Sequence, residues 1–423
     1  MDRLIIENVR CFRGRHEVHL APLTILVGEN STGKSTLLAA TRIASDLGTE
    51  HDLDFNEKPF LLGGYDQIAS SIGPRGKRAE VFAIGAVNEI QVARQVSPAL
   101  VMAEFVSRVS QPALRAWRFE AVSCRLTAGY DADERMISIE AETPSTRGEI
   151  KPDSFGFFPR RISPRIAAVL LHLRIKDFPR ADSELFIELM EEWMDQSGPR
   201  PYAFAPIRTS PQRTYDPIKE IVEPEGGHVP MVLAGLHSQS PDEWVSLRRA
   251  LKIFGKASGL FDEVEIRRLG NSPSDPFQLQ VKINGSLVNL VDVGYGVSQI
   301  LPILVDCLRS ENGRMFLLQQ PEVHLHPRAQ AELGSFLALL AKQQEKRFMI
   351  ETHSDYLVDR IRMDIRDGKN GLKPEDVSLL YFEREAGAVK IHRLILDKVG
   401  NIENAPLGYR RFILEEERRF LGI

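Results

Sequence analysis

Lys34 and Ser35 carry the clearest chemistry in this chain of 423 residues. They close the run Gly28-Glu29-Asn30-Ser31-Thr32-Gly33-Lys34-Ser35-Thr36, which fills every fixed position of G-x-x-x-x-G-K-[S/T]. At that spacing the lysine sets a positive point charge against the β- and γ-phosphates of a nucleoside triphosphate. The hydroxyl one residue on can ligate Mg²⁺. Gly28 and Gly33 permit the sharp turns that bring backbone N–H groups close to a polyphosphate. On these grounds Asn30, Ser31, Thr32, Gly33, Lys34, Ser35 and Thr36 are the candidate nucleotide-binding residues. The plain alternative is a Gly/Ser turn that happens to precede a helix.

Such a loop works only between a strand and a helix, and the flanks comply. Residues 23–27 form an apolar β-type run, and a helical pattern starts at Ser35 and continues to about Leu47. The helix would aim the positive end of its dipole at the same anion. Upstream, residues 3–8 and 17–20 read as strands around a turn at 9–14. Downstream, residues 315–318 read as a buried strand leading into Gln319-Gln320-Pro321-Glu322-Val323-His324-Leu325-His326-Pro327. Residues 347–351 form another strand, leading into Thr352-His353-Ser354. The run Gly294-Tyr295-Gly296-Val297-Ser298-Gln299 opens a helix, and N–H groups at a helix start suit an anion.

Between these motifs, β-type runs at 79–83, 105–107, 117–126 and 136–141 predict an antiparallel sheet. Residues 145–180 are rich in Pro, Gly and Arg and read as loops with one short helix at 166–173. Helices are expected at 183–196, 231–236 and 241–255. Strands at 264–269 and 277–283 lead to a hairpin turn at Asn284-Gly285. Residues 205–215 are basic and hold prolines; they read as a phosphate contact or as a solvated loop. Strands at 377–382 and 389–396 and a charged helix over 404–423 finish the chain.

Bulk composition narrows the classes. Lys and Arg total 54 against 58 Asp and Glu, a net charge of −4, so no global basic field announces nucleic acid. Cys11, Cys124 and Cys307 lie far apart without metal-ligand spacing and read as reduced thiols of a cytoplasmic protein. No apolar run approaches the ~20 residues of a membrane helix. Met1-Asp2-Arg3 leads into a strand rather than a secretory leader. There is no internal repeat and no heptad array.

The motifs, in this order, resemble the heads of the SMC, RecF and OLD group of ABC-type ATPases, and in particular stand-alone OLD-like ATPases without a Toprim domain. The N-terminal and C-terminal thirds carry the resemblance. It implies an α/β fold: an ABC-type P-loop NTPase head, with a mixed sheet, flanking helices and an antiparallel β subdomain, interrupted by a largely helical insertion. The implied division is an N-terminal lobe at 1–145, the insertion at 146–262 and a C-terminal lobe at 263–423. ATP and Mg²⁺ are the implied ligands. Arg10, in the corner Asn8-x-Arg10-x-Phe12, would lie near adenine and ribose, or be a surface charge beside a buried aromatic. Gln67 would reach Mg²⁺ and the attacking water, or be an ordinary loop glutamine. Gly294, Gly296 and Ser298 would stand as the signature element that meets the γ-phosphate held by an opposite protomer. His353 would be the switch histidine.

The main departure from the group lies after the strand at 315–318. Gln319 occupies the position of the Mg²⁺-linked carboxylate, and Gln320 that of the usual catalytic glutamate. An amide accepts hydrogen bonds but carries no charge and takes no proton. Glu322 is then the nearest acid available as a base. The resemblance implies a homodimer around nucleotide, slow ATP hydrolysis, and regulation of a separately encoded effector, nuclease or other, in a nucleic-acid-related process such as anti-phage defence. The competing reading is a non-hydrolysing ATP-dependent switch or scaffold, because of the two glutamines. A third takes His324-x-His326 as the metal pair of a nuclease.

Overall fold

The computed structural model describes residues 1–48, 53–73, 76–92, 95–131, 136–150, 179–217, 222–272, 274–385 and 388–422. The helix expected at 166–173 lies outside them. Along the chain, two compact units alternate.

The first unit comprises Met1–Leu20, Glu29–Arg200 and Phe382–Ile391. Its frame is an eight-stranded antiparallel sheet in the order β2-β1-β4-β5-β6-β7-β8-β9. The strands are β1 Arg3–Val9, β2 Phe12–His19, β4 Phe82–Val92, β5 Gln95–Arg108, β6 Gln111–Ala121, β7 Cys124–Tyr130, β8 Met136–Glu142 and β9 Arg147–Ile150. The short runs expected from sequence prove to be parts of long strands. The run at 117–126 is broken by a hairpin turn at Val122-Ser123 (φ 48° and 65°), and Val109-Ser110 (φ 47° and 62°) turns β5 into β6. Both turns are tight two-residue connections with left-handed residues, a geometry usually written Asn-Gly.

Helix α1, Lys34–Asp46, packs on β1 and β4, and Leu37, Leu38, Ile43 and Ala44 are buried. Helix α2 is one turn, Tyr65–Ile68, and α3 spans Arg180–Ser197. The apolar positions of α3 recur at helical spacing, and Phe186, Leu189, Met190 and Trp193 are buried. Asn88 of β4 ties the end of this helix down, its amide donating to Trp193 O at 3.2 Å and Ser197 Oγ at 2.8 Å.

The second unit comprises Ala21–Gly28, Pro201–Tyr381 and His392–Ile423. It is built on a sheet ordered β10-β14-β15-β3-β16-β17, with β3 Leu23–Gly28, β10 Tyr202–Phe204, β14 Met315–Gln319, β15 Arg347–Glu351, β16 Val377–Glu385 and β17 Ala388–Leu394. Strands β10, β14, β15 and β3 run parallel. Every residue of β14 is buried, as a parallel strand covered on both faces requires. On one face Ile25, Phe204, Phe316, Leu318, Phe348 and Ile350 join a core with helices α4 Val229–Gln239, α5 Pro241–Ser258, α6 Tyr295–Arg309, α7 Pro327–Gln343 and α8 Asp355–Arg366. A small antiparallel sheet of β11 Glu263–Arg268, β12 Phe277–Ile283 and β13 Ser286–Asn289 turns at Asn284-Gly285 as expected. The tail helix, α9, is shorter than expected: it spans Arg411–Leu421, because Pro406 and Gly408 break the pattern before it. Among the described residues no helix is long and apolar enough to cross a membrane.

Candidate nucleotide-binding site

In the first unit, residues 29–33 lead directly into α1. Lys34 is buried, and its Nζ donates to Glu29 O at 2.6 Å; Thr32 Oγ1 donates to the same carbonyl at 2.7 Å. The loop is thus wrapped around its own lysine. Gly33 sits at φ 94° as the N-cap of α1, and no side chain caps that helix. A Cβ at Gly33 would lie 2.5 Å from Cys11 Sγ and 2.6 Å from Phe12 Cζ, so both the backbone angle and the space demand glycine. Asn30 and Ser31 are exposed, Ser35 is half-buried and Thr36 is buried. The carbonyl of Ser31, itself at φ 61°, accepts from Arg384 Nη2 at 2.9 Å.

Arg10 donates to Leu62 O at 2.9 Å, to Gln67 O at 3.3 Å and to Thr36 Oγ1 at 3.4 Å. Burial lowers its pKa. It ties the segment around α2 to the first turn of α1, beside the residues expected to hold phosphate. The Gln67 side chain turns back on its own helix, where Oε1 accepts the Gly64 N–H at 3.0 Å.

In the second unit the candidate residues follow the C-terminal ends of parallel strands, where open α/β sheets place their ligands. Gln319 ends β14 and pairs in register with Glu351, which ends β15; both are buried. Gln320 adopts φ 43° and its N–H donates to Glu351 O at 2.8 Å. Glu322 is buried, and its Oε1 accepts the His353 N–H at 2.8 Å. Burial pushes the Glu322 carboxyl up; the neighbouring Thr352 hydroxyl, the His353 N–H and the Arg208 guanidinium draw it back. No hydrogen bond of accepted geometry reaches its Oε2. The His353 side chain is exposed.

The run opening α6 divides in two. Gly294 and Tyr295 are exposed at a helix start that no side chain caps. Gly296 is a spacer, since a Cβ there would lie 2.8 Å from His324 O. Ser298 is buried and its hydroxyl donates to Tyr295 O at 3.0 Å, which leaves Gly294 and Tyr295 as the exposed part of the element. His326 caps α7, its Nδ1 accepting from Arg328 N at 3.4 Å. Among the described residues no group of three His, Cys, Asp or Glu could hold a metal ion.

Two residues escaped the sequence reading. Glu351 belongs to no motif; only the strand register brings it beside Gln319. Arg208 lies in the basic run at 205–215, whose composition favours a solvated loop. Instead its side chain is 3% exposed, and Nε, Nη1 and Nη2 all lack hydrogen-bond partners. Burial lowers its pKa to about 10, against the pull of Glu322.

The uncapped start of α1, led in by a left-handed glycine and followed by a buried lysine, fits a polyphosphate. For Mg²⁺ the first unit by itself offers the Ser35 hydroxyl and the Gln67 amide, and the second by itself the Gln319 amide and the Glu351 carboxylate. Mg²⁺ commonly takes only one or two protein ligands beside phosphate oxygens and water, so a sparse set in either unit is compatible with it.

The strand–loop–helix and the parallel sheet have the fold of an ABC-type P-loop NTPase head. The profile of the AAA ATPase domain matches residues 241–358, which include Gln319, Glu322 and His353. Among solved structures, the chain is similar to the Smc head bound to the C-winged helix domain of ScpA, with 9% identity, a TM-score of 0.52, and coverage of 94% of this chain and 98% of that one. Other similar structures are the Smc head with an extended coiled coil bound to the C-terminal domain of ScpA derived from Pyrococcus furiosus (11% identity, 99% of each chain, TM-score 0.47) and the SMC head domain from Thermotoga maritima (11%, 93% and 98%, 0.41). At such identities the likeness is one of fold. No curated protein matches the chain in sequence.

Proposed function

We propose that this chain binds ATP, hydrolyses it slowly, closes as a homodimer around nucleotide, and regulates a partner effector in a nucleic-acid-related process, with anti-phage defence as one such process. The observation that carries the reading is Glu322: a buried carboxylate fixed by the His353 N–H, with its pKa raised by burial toward the range a general base needs. In this reading the loop N–H groups and Lys34 hold the β- and γ-phosphates, Arg10 braces the loop, and His353 contacts the γ-phosphate. Water attacks the γ-phosphorus, its proton passes to Glu322, and the bond to the β-γ bridging oxygen breaks to release ADP. Mg²⁺, if bound through Ser35, Gln319 and Gln67, would supply charge neutralisation for the phosphates, with Glu351 the register partner of Gln319.

The exposed start of α6 at Gly294 suits the γ-phosphate of a nucleotide held by a second copy, which is the basis for the homodimer. A partner protein is in keeping with the Smc head of similar fold, whose structure includes the C-winged helix domain of ScpA.

The test is phosphate release by the purified chain with ATP and Mg²⁺, beside Lys34→Ala and Glu322→Gln. Slow release is expected, abolished by the first variant and reduced about 100-fold or more by the second. An equal rate for Glu322→Gln and parent would remove Glu322 from the mechanism. The second reading, a switch without turnover, is favoured by amides at both Gln319 and Gln320. Tight ATP binding without phosphate release would establish it. Molar mass by light scattering, with and without ATP, tests the dimer in either case.

A further inference from the structure

One carbonyl of the phosphate loop is held by a residue 353 positions further on. Arg384, near the end of β16, donates from Nη2 to Ser31 O at 2.9 Å. The stretch 382–391 belongs to the first unit, and two more contacts seat it there. Val389 N donates to Cys11 O at 3.3 Å. The rings of Phe382 and Phe12 meet edge to face with centroids 6.2 Å apart, and both side chains are fully buried. Cys11 and Phe12 are the residues that a Cβ at Gly33 would strike. The guanidinium is therefore carried on a support already packed beside the last glycine of the loop.

Ser31 needs such a hold. It sits at φ 61°, a left-handed angle that a serine seldom adopts and that persists only where its surroundings fix it. Lys34 Nζ and Thr32 Oγ1 both donate to Glu29 O, which fixes the peptide after Glu29 rather than the one after Ser31.

We infer that Arg384 is a positioning residue for the phosphates of the nucleotide, acting through the peptide between Ser31 and Thr32. This rests on the proposed binding of ATP by the loop. The peptide is trans, so its C=O and N–H lie in one plane and point opposite ways. Gripped by its carbonyl, it turns the Thr32 N–H away from Arg384. That N–H is one of the donors a polyphosphate takes from a loop of this kind. A donor oriented in advance costs less to order when the anion arrives.

The experiment is calorimetric titration of the full chain with ATP and Mg²⁺, and separately with inorganic tripolyphosphate, for parent, Arg384→Met and Arg384→Lys. Arg384 is exposed, so its replacement leaves the core intact. Arg384→Met is expected to weaken both ligands to the same extent, by about tenfold, the size of one lost hydrogen bond from a charged donor. Arg384→Lys keeps a charged donor and recovers most of the affinity for both. A brace that served the fold alone would lower the melting midpoint and leave both affinities at the parent value; that result overturns the inference. A loss for ATP with none for tripolyphosphate also overturns it, because the guanidinium would then act on the base or ribose.

A second readout needs no ligand. Deuterium uptake of the segment 29–36, followed by mass spectrometry, is expected to be faster in Arg384→Met than in the parent, because the loop loses the contact that fixes one of its peptides. Equal uptake overturns the inference. If the parent binds neither ligand while uptake quickens in the variant, the nucleotide reading fails and the hold of Arg384 on the loop stands.

Discussion

The backbone N–H of His353 donates to Oε1 of Glu322 at 2.8 Å, so the residue after strand β15 fixes the acid after strand β14. Two motifs 31 positions apart in sequence are thereby one hydrogen-bonded structure. The contact uses the main chain of His353, and the residue is exposed.

The titration of Glu322 has a definite sign. Burial raises its pKa in the folded chain above the ordinary carboxylate value. The folded state therefore holds that proton more tightly than the unfolded chain does. The contribution to stability is full below the unfolded pKa and is lost as pH rises through the folded one. Glu322→Gln removes the titration and keeps an oxygen for the His353 N–H. Thermal scans across pH should show the variant gaining on the parent as pH rises through that window. A pH-independent difference contradicts the assignment.

Gly33→Ala is expected to abolish nucleotide binding. The position combines φ 94° with a Cβ 2.5 Å from Cys11 Sγ and 2.6 Å from Phe12 Cζ. Strain at such an angle costs about 1–3 kcal/mol, and the clash adds to it. Calorimetric titration with ATP and Mg²⁺ measures the loss. Binding at parent affinity would mean that the loop tolerates a shifted backbone.

The amide at Gln319 sets the metal question. Gln319→Glu adds charge where the phosphates bring Mg²⁺, and turnover is expected to rise about tenfold, with half-saturation at lower Mg²⁺. Glu351→Gln removes the neighbouring carboxylate and should weaken the Mg²⁺ dependence of nucleotide binding. The two changes are adjacent in register, so their effects should not add. Titrations of nucleotide affinity against Mg²⁺ decide both.

Arg200 forms a fork with Asp46, Nε to Oδ1 and Nη2 to Oδ2 both at 2.8 Å, and Asp46 is buried. That fork holds the end of α1 to the segment after α3. Arg200→Met strips a buried carboxylate of its bidentate partner and should destabilise the chain by about 3 kcal/mol. Urea unfolding of parent and variant gives the figure.

The sequence made the phosphate loop, its strand and its helix legible because all their determinants are local: glycines, a lysine and an apolar run within two dozen residues. The Asn284-Gly285 hairpin was legible for the same reason. The long strands β5, β6 and β7 were not, because Val109-Ser110 and Val122-Ser123 make left-handed turns without the residues that announce them. Arg208 was hidden by distance. Prolines and arginines around it signal exposure, while its burial is imposed in part by Gln299, 91 positions on. Glu351 was hidden because register, not motif, places it.

The grip of Arg384 on the Ser31 carbonyl spans 353 positions, and Val389 N donates to Cys11 O in the same unit. A ribosome delivers Arg384 at a point 353 positions after the carbonyl it grips. The phosphate loop therefore lacks this brace until synthesis has passed Arg384. Nascent chains stalled before that residue are expected to hold ATP less tightly than chains that include it, which a filter-binding comparison of the two would measure.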